Sequence, residues 1–259
     1  MRSFLTALRF LTILPVPGAS DDGRLSRSMA FFPLAGLVVG AIAAGIFFGA
    51  MHVVPYEVAA FLAVTALALL TGGLHLDGVA DVCDAFQPAR SRERILEILK
   101  DSRVGAIGAV GIVIVFFGKV IFLGALPSSI GVPGFACVIA LSRWAMTLSA
   151  AASAYARTEG TGKVFVGGAG RFEWFVSSIL AIIIAVGMLR TIGLLLAAGM
   201  LLWTMALTTY FRRRIGGVTG DTLGFLGETS EWIGLLMMNI LATNGYWSVW
   251  TPFSRWFGM

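Results

Sequence analysis

Three aspartates, Asp77, Asp81 and Asp84, stand in the stretch "GGLHLDGVADVCDAF" at residues 72–86. Their i, i+4, i+7 spacing puts them within roughly 60° of one another around a helix. Like charges on one stripe repel, and the run before them, "EVAAFLAVTALALLT", is apolar with Glu57 as its only charge. At a bilayer centre each aspartate costs about 2.5–3.5 kcal/mol on the insertion scale. A divalent cation relieves both burdens. Carboxylate oxygens suit Mg2+, which fills its remaining positions with waters or substrate phosphates. The bland alternative, a solvated helix end, has no need to align its acids.

A second acidic stripe lies in "GGVTGDTLGFLGETSE". Asp221, Glu228 and Glu231 follow i, i+7, i+10 and span roughly 80° of a helix. The six acids Asp77, Asp81, Asp84, Asp221, Glu228 and Glu231 are therefore candidate metal ligands. Two stripes on one membrane face could share two ions, the arrangement that clamps both oxygens of a phosphoryl transfer. Gly216, Gly217, Gly220 and Gly224 would let backbone amides approach a phosphate, although an ordinary loop with a capped helix start has the same glycines. Asp101 and Arg103 flank the start of an apolar run in "LKDSRVGAIG", where Arg103 could grip a phosphate with its planar fork. Arg143, in "ALSRWAM", sits inside an apolar run and is either functional or the partner of a buried acid. The candidate substrate-binding residues are thus Arg103, Asp101, Arg143, Lys163 and Gly220. Asp81, Glu228 and Arg103 are the candidate catalytic residues, one of the two carboxylates taking a proton. His75 precedes Asp77 by two residues and points off the stripe, as a helper or a packing residue. Lys119 has a stem long enough to snorkel, and His52 is incidental.

The composition says where such a site must live. The chain has 259 residues, of which 58% are hydrophobic and only 13% charged, against about 25% charged in soluble domains. Mean hydropathy is +0.88. This predicts an all-α, polytopic membrane helix bundle forming a single domain over residues 1–259. Apolar runs of spanning length fall at about 31–54, 58–74, 104–126, 131–153, 173–189, 191–210 and 232–250. The fifth and sixth are separated only by Arg190 and Thr191, so they are a tight hairpin or one broken helix, and the bundle has six to seven spans.

Lys and Arg concentrate in residues 1–30, 75–103, 154–172 and 211–231, while the opposite side has only Arg190 and Arg255. The positive-inside rule then puts the N-terminus and both acidic stripes in the cytoplasm. The first residues, "MRSFLTALRFLTIL", carry Arg9 where a cleavable signal needs an unbroken apolar core. Phe4, Leu8 and Leu11 share one face there, predicting an interfacial helix. Residues 87–103 predict a short amphipathic helix, and the glycine-rich residues 156–171 a mobile loop. No polybasic run interleaved with aromatics suggests nucleic acid, despite a net charge of +5. Cys83 and Cys137 read as packing residues.

In order, "RFLTILPVP", "FPLAGL", "TGGLHLDGVADVCDAF", "ARSRERILEILKDSRVGAIG", "ALSRWAM", "GKVFVG" and "GGVTGDTLGFLGETSE" resemble the cobalamin synthase family, the adenosylcobinamide-GDP ribazoletransferases. The resemblance runs over nearly the whole chain. It implies an Mg2+-dependent enzyme of the bacterial inner membrane, with its active site facing the cytoplasm. In that reaction a hydroxyl of α-ribazole, or of its 5′-phosphate, attacks the cobinamide-side phosphate of adenosylcobinamide-GDP. GMP leaves, and adenosylcobalamin or its phosphate forms. The family's aspartate-rich motif matches Asp77, Asp81 and Asp84, and its second acidic motif matches Asp221, Glu228 and Glu231. The chain departs from the family at Ala85, where Gly usually follows the third aspartate. The expected partners are the two substrates and the lipid bilayer, with homo-oligomerisation left open. A CDP-alcohol phosphotransferase would want an "AR" that "DGVADVCDAF" lacks. A cation-coupled transporter would want acids near the bilayer midplane and often an internal repeat, and none is evident.

Overall fold

Glycines and alanines set four residues apart let helix backbones touch, and this chain is built on such contacts. The computed structural model describes residues 2–16, 25–101, 103–160 and 162–244. Among them every regular element is a helix: α1 (Arg2–Leu11), α2 (Leu25–Ser28) running through a 3-10 turn into α3 (Phe32–Ala50), α4 (Tyr56–Leu70), α5 (Leu74–Ala85), α6 (Arg92–Ile98), α7 (Ala106–Gly124), α8 (Ser128–Ala151), α9 (Gly162–Gly168), α10 (Arg171–Ile215) and α11 (Gly220–Thr243). Prolines at 55 and 127 stand just before α4 and α8, where a missing N–H costs nothing.

Helix α8 is the hub, with every residue from 134 to 150 buried. Gly36 and Gly40 of α3 lie on its backbone: a Cβ on Gly36 would come 2.9 Å from the Ile139 carbonyl, and one on Gly40 would come 2.9 Å from that of Ala136. Helix α10 is broken at Arg190, whose φ of 50° and ψ of −129° are not helical. Gly193 rests against the carbonyl of Ala185, a residue that a straight helix would hold about 12 Å away. The chain therefore folds back at Arg190, and α10 is a hairpin with limbs at 171–189 and 191–215.

Four helices are long and apolar enough to cross a membrane among the described residues, or five if α4 and α5 together make a bent span. The sequence reading of seven is higher for physical reasons. The α10 hairpin registers as one helix, and α4 is only 15 residues long. Helix α11 begins at Gly220 rather than near 232 and carries Asp221, Glu228 and Glu231, which lower its hydropathy. The last part of the expected seventh span, 245–250, and Arg24 and Arg255 of the charge argument lie outside the described residues.

One end of the bundle, the polar end, is capped by the short helices. Leu8 and Leu11 of α1, Ile95 of α6, Phe165 and Val166 of α9, and Phe211 and Ile215 of α10 form one buried cluster there. The apolar face of α1 thus turns onto the protein, with Phe10 4.0 Å from the Phe165 ring. Residues 162–168 form a helix where a mobile loop was expected, because Phe165 and Val166 supply an anchor that the glycines hid.

Between α4 and α5 the chain bends by 90°. Gly72 and Gly73 make the turn at φ of 60° and 70°, a region that penalises any side chain. Helix α5 then lies across the N-terminal ends of α7 and α11. Gly78 faces the Asp221 carbonyl, 2.6 Å from where its Cβ would stand, and Gly224 faces the Cα of His75 at 3.3 Å. Backbone cannot yield as a side-chain tip can. Gly78→Val is therefore expected to cost about 1–3 kcal/mol as overpacking, read as a lower thermal midpoint in detergent. Gly45→Ala, which meets nothing within 4 Å, should not lower the midpoint, since alanine favours the helix over glycine.

Candidate active site

The α5 turn fixes where the first stripe points. Asp77 is exposed, and Asp81 and Asp84 are half-buried on the same helix. The second stripe starts at a reciprocal cap. The Thr222 hydroxyl accepts from the Thr219 N–H at 2.8 Å, and the Thr219 hydroxyl accepts from the Thr222 N–H at 3.3 Å. That cap sets Asp221 in the first turn of α11. Because Gly78 and Gly224 let the two helices touch, Asp77 and Asp81 come within electrostatic reach of Asp221. Burial, then the charges of Asp221, Asp77 and Asp84, push the Asp81 carboxyl up to about 7, against the pull of Arg157.

Asp84 has a different occupation. Its Oδ2 accepts from the Gly105 N–H at 2.6 Å and its Oδ1 from the Gly108 N–H at 2.9 Å. Those amides open α7, so Asp84 caps that helix. Gly105 and Gly108 leave it room: a Cβ on either would strike the carboxylate.

Glu228 and Glu231 turn away from the aspartates into the bundle. The Lys119 ammonium donates to Glu228 Oε2 at 2.5 Å and to Glu231 Oε2 at 2.7 Å, and Arg143 donates to Glu231 Oε1 at 2.9 Å. Ser142 completes the group, within 2.9 Å of Arg143. All four charged side chains are at most 3% exposed. The quartet carries two positive and two negative charges, so each buried ion has its counter-ion. Arg143, Glu228 and Glu231 are thereby committed to each other.

Arg103 forks onto its neighbour, with Nε 3.0 Å from Asp101 Oδ1 and an outer nitrogen 2.6 Å from Oδ2. Its guanidinium holds the Asp101 carboxyl down to about 2. Both lie at the surface of the polar end. Lys163, exposed on α9, donates to the Thr158 carbonyl at 2.7 Å. Gly220 is exposed with open space where a side chain would stand, and its N–H lies 3.1 Å from the position a Cβ would take on Gly162.

Two cations went unweighted or underweighted in the sequence. Lys119 reads there as a snorkelling side chain, and nothing local marks it as the partner of residues more than 100 positions away. Arg157 sits in the glycine-rich segment and carries no periodic signal. Its outer nitrogen donates to Asp221 Oδ2 at 2.6 Å and to the Leu99 carbonyl at 2.8 Å. His75 is buried with both ring nitrogens unpartnered among the described residues.

Among the described residues, no group of three His, Cys, Asp or Glu side chains stands close enough to hold a metal by itself. What fits a divalent ion is narrower than six acids. Asp77, Asp81 and the free side of Asp221 are hard oxygen donors, and the charges of Asp221 and Asp77 both act on Asp81. One or two carboxylates completed by waters and substrate phosphates is an ordinary Mg2+ shell. Glu228 and Glu231 do not fit, being held by Lys119 and Arg143.

The cobalamin-5-phosphate synthase family model matches residues 3–239. A Geotalea daltonii protein named adenosylcobinamide-GDP ribazoletransferase is 38% identical over 249 residues, covering 95% of this chain and 99% of the relative. Proteins of that name from Klebsiella pneumoniae and Escherichia coli are each 38% identical, over 92% and 91% of this chain and 99% and 98% of their own length. No solved structure matches the chain.

Lys119→Met would leave two buried glutamates to one arginine. It is expected to cost about 3–5 kcal/mol, seen as a lower thermal midpoint, and Glu228→Gln in the same chain should restore most of it. An unmoved midpoint in the single variant would mean that the quartet contributes nothing to stability.

Proposed function

The chain belongs to the cobalamin-5-phosphate synthase family, and on that premise we propose that it joins α-ribazole, or its 5′-phosphate, to adenosylcobinamide-GDP with release of GMP. The ribazole hydroxyl attacks the cobinamide-side phosphorus. The new P–O bond forms as the bond to GMP breaks, and GMP departs with the electron pair. The observation that best supports this is the convergence of Asp77 and Asp81 on α5 with Asp221 on α11.

Asp77 and Asp221 would hold Mg2+, which supplies charge neutralisation at the diphosphate. Asp81, one turn after Asp77 on α5, takes the proton of the attacking hydroxyl. It is preferred over Glu228 because the latter is shut in with Lys119, whereas Asp81 is half-buried and reachable. Asp84 serves by fixing α7 against α5. Arg103 and Lys163 stand exposed at the polar end, as counter-charges for the arriving nucleotide. The concentration of Lys and Arg at this end favours a cytoplasmic orientation in a bacterial inner membrane.

The test is GMP release by the protein in liposomes, supplied with adenosylcobinamide-GDP, ribazole phosphate and Mg2+. GMP and a cobalamin product are expected together and only with the metal, EDTA abolishing both. Asp81→Asn should lower turnover by about 100-fold or more, the usual worth of a proton acceptor, with a thermal midpoint at neutral pH that is no lower than wild type, because the burial and repulsion that raise Asp81 are relieved. Near-normal turnover by that variant would overturn the site.

A further inference from the structure

Asp77, Asp84 and Asp221 surround Asp81 at the polar end, and any diphosphate entering there brings more negative charge. Arg157 is the cation that the structure builds in among them. Its side chain is 13% exposed, paired with Asp221. Its Nε is buried and has no hydrogen-bond partner among the described residues, although a buried guanidinium N–H left unpaired is costly. A phosphate oxygen is the acceptor that would satisfy it.

The backbone that carries Arg157 is held in place. The Ala156 N–H donates to the Val218 carbonyl at 2.9 Å, and the Val218 N–H donates to Ala154 at 3.0 Å. This isolated parallel bridge ties the segment after α8 to the residues just before α11. Gly217 lies flat on the Ala154 carbonyl. Arg92 staples both segments, its Nε reaching the Ile215 carbonyl at 2.9 Å and an outer nitrogen the Ala156 carbonyl at 3.4 Å. So elaborate a mounting exceeds what a surface arginine needs, and it presents a planar fork of the kind that suits phosphate.

We propose that Arg157 binds the phosphates of the nucleotide-activated substrate, its guanidinium held on Asp221 until they arrive. The inference rests on the transferase reading and deepens it. A metal drawn onto Asp221 competes with the same ion pair, so it frees the guanidinium for phosphate. The competing view makes Arg157 a strut between Leu99, at the end of α6, and α11.

The experiment uses the full chain in nanodiscs and three probes: GMP, inorganic pyrophosphate and Mn2+. Arg157→Met should weaken GMP and pyrophosphate about 10-fold or more, the scale of a lost charge-assisted hydrogen bond. Arg157→Lys should give an intermediate loss. Mn2+ binding, read by electron paramagnetic resonance, should stay the same or tighten, because a competing cation has left Asp221. Should Arg157→Met fail to fold, the Lys variant decides. Wild-type affinity for pyrophosphate in a folded Arg157→Lys, or a loss of Mn2+ binding in step with the anions, would make the residue a strut and overturn the proposal. Wild-type protein that binds neither anion would overturn it too. Wild-type protein that binds pyrophosphate yet releases no GMP from adenosylcobinamide-GDP would sink the transferase reading, while the variants still decide Arg157.

Discussion

The buried exchange between Lys119, Arg143, Glu228 and Glu231 governs the geometry of everything else. It joins α7, α8 and α11 through side chains that are almost fully enclosed. An ion pair in such surroundings adds little net stability, but separating it is costly. Its effect is on register. Glu228 and Glu231 meet both cations on one face of α11, and Asp221, two turns earlier, stands with its carbonyl against Gly78 of α5.

The second constraint is steric. Helix α5 can lie across α7 and α11 only because Gly78, Gly108, Gly111 and Gly224 present bare backbone. Cys83, for one, would strike a Cβ at Gly111, which would stand 2.5 Å from its sulfur. This close seat buries Asp81 among other acids, and burial first, then their charges, raise its titration. Packing and electrostatics therefore share one cause. The glycines that permit the contact are also the reason that the acids repel.

Much of the site was legible because it is local. The Asp77, Asp81, Asp84 stripe follows from helical spacing alone, and α5 carries it as expected. The Asp221, Glu228, Glu231 stripe was equally legible as a stripe. Its assignment to metal was less secure, since periodicity gives a face of a helix and not what lies opposite. The partners of Glu228 and Glu231 come from α7 and α8, which no local pattern records. Arg143 was open to either reading, and the structure favours the buried-partner one. Arg157 was invisible for a related reason: it is placed by a two-hydrogen-bond bridge between segments about 60 residues apart, and its neighbours look like a loop. The hairpin in α10 was one of two options at Arg190 and Thr191, and the approach of Gly193 to Ala185 selects it.

The ion quartet also has an order in time. Glu228 lies 109 residues after Lys119, and Glu231 lies 88 residues after Arg143. A chain made from its N-terminus delivers both cations to the bilayer long before either acid exists. Each unpaired charge then weighs about 2.5–3.5 kcal/mol against insertion. Arrival of α11 neutralises both cations and brings Asp221 to the aspartates together. A chain ending before α11 lacks the two anions that neutralise Lys119 and Arg143, and it lacks Asp221 as well.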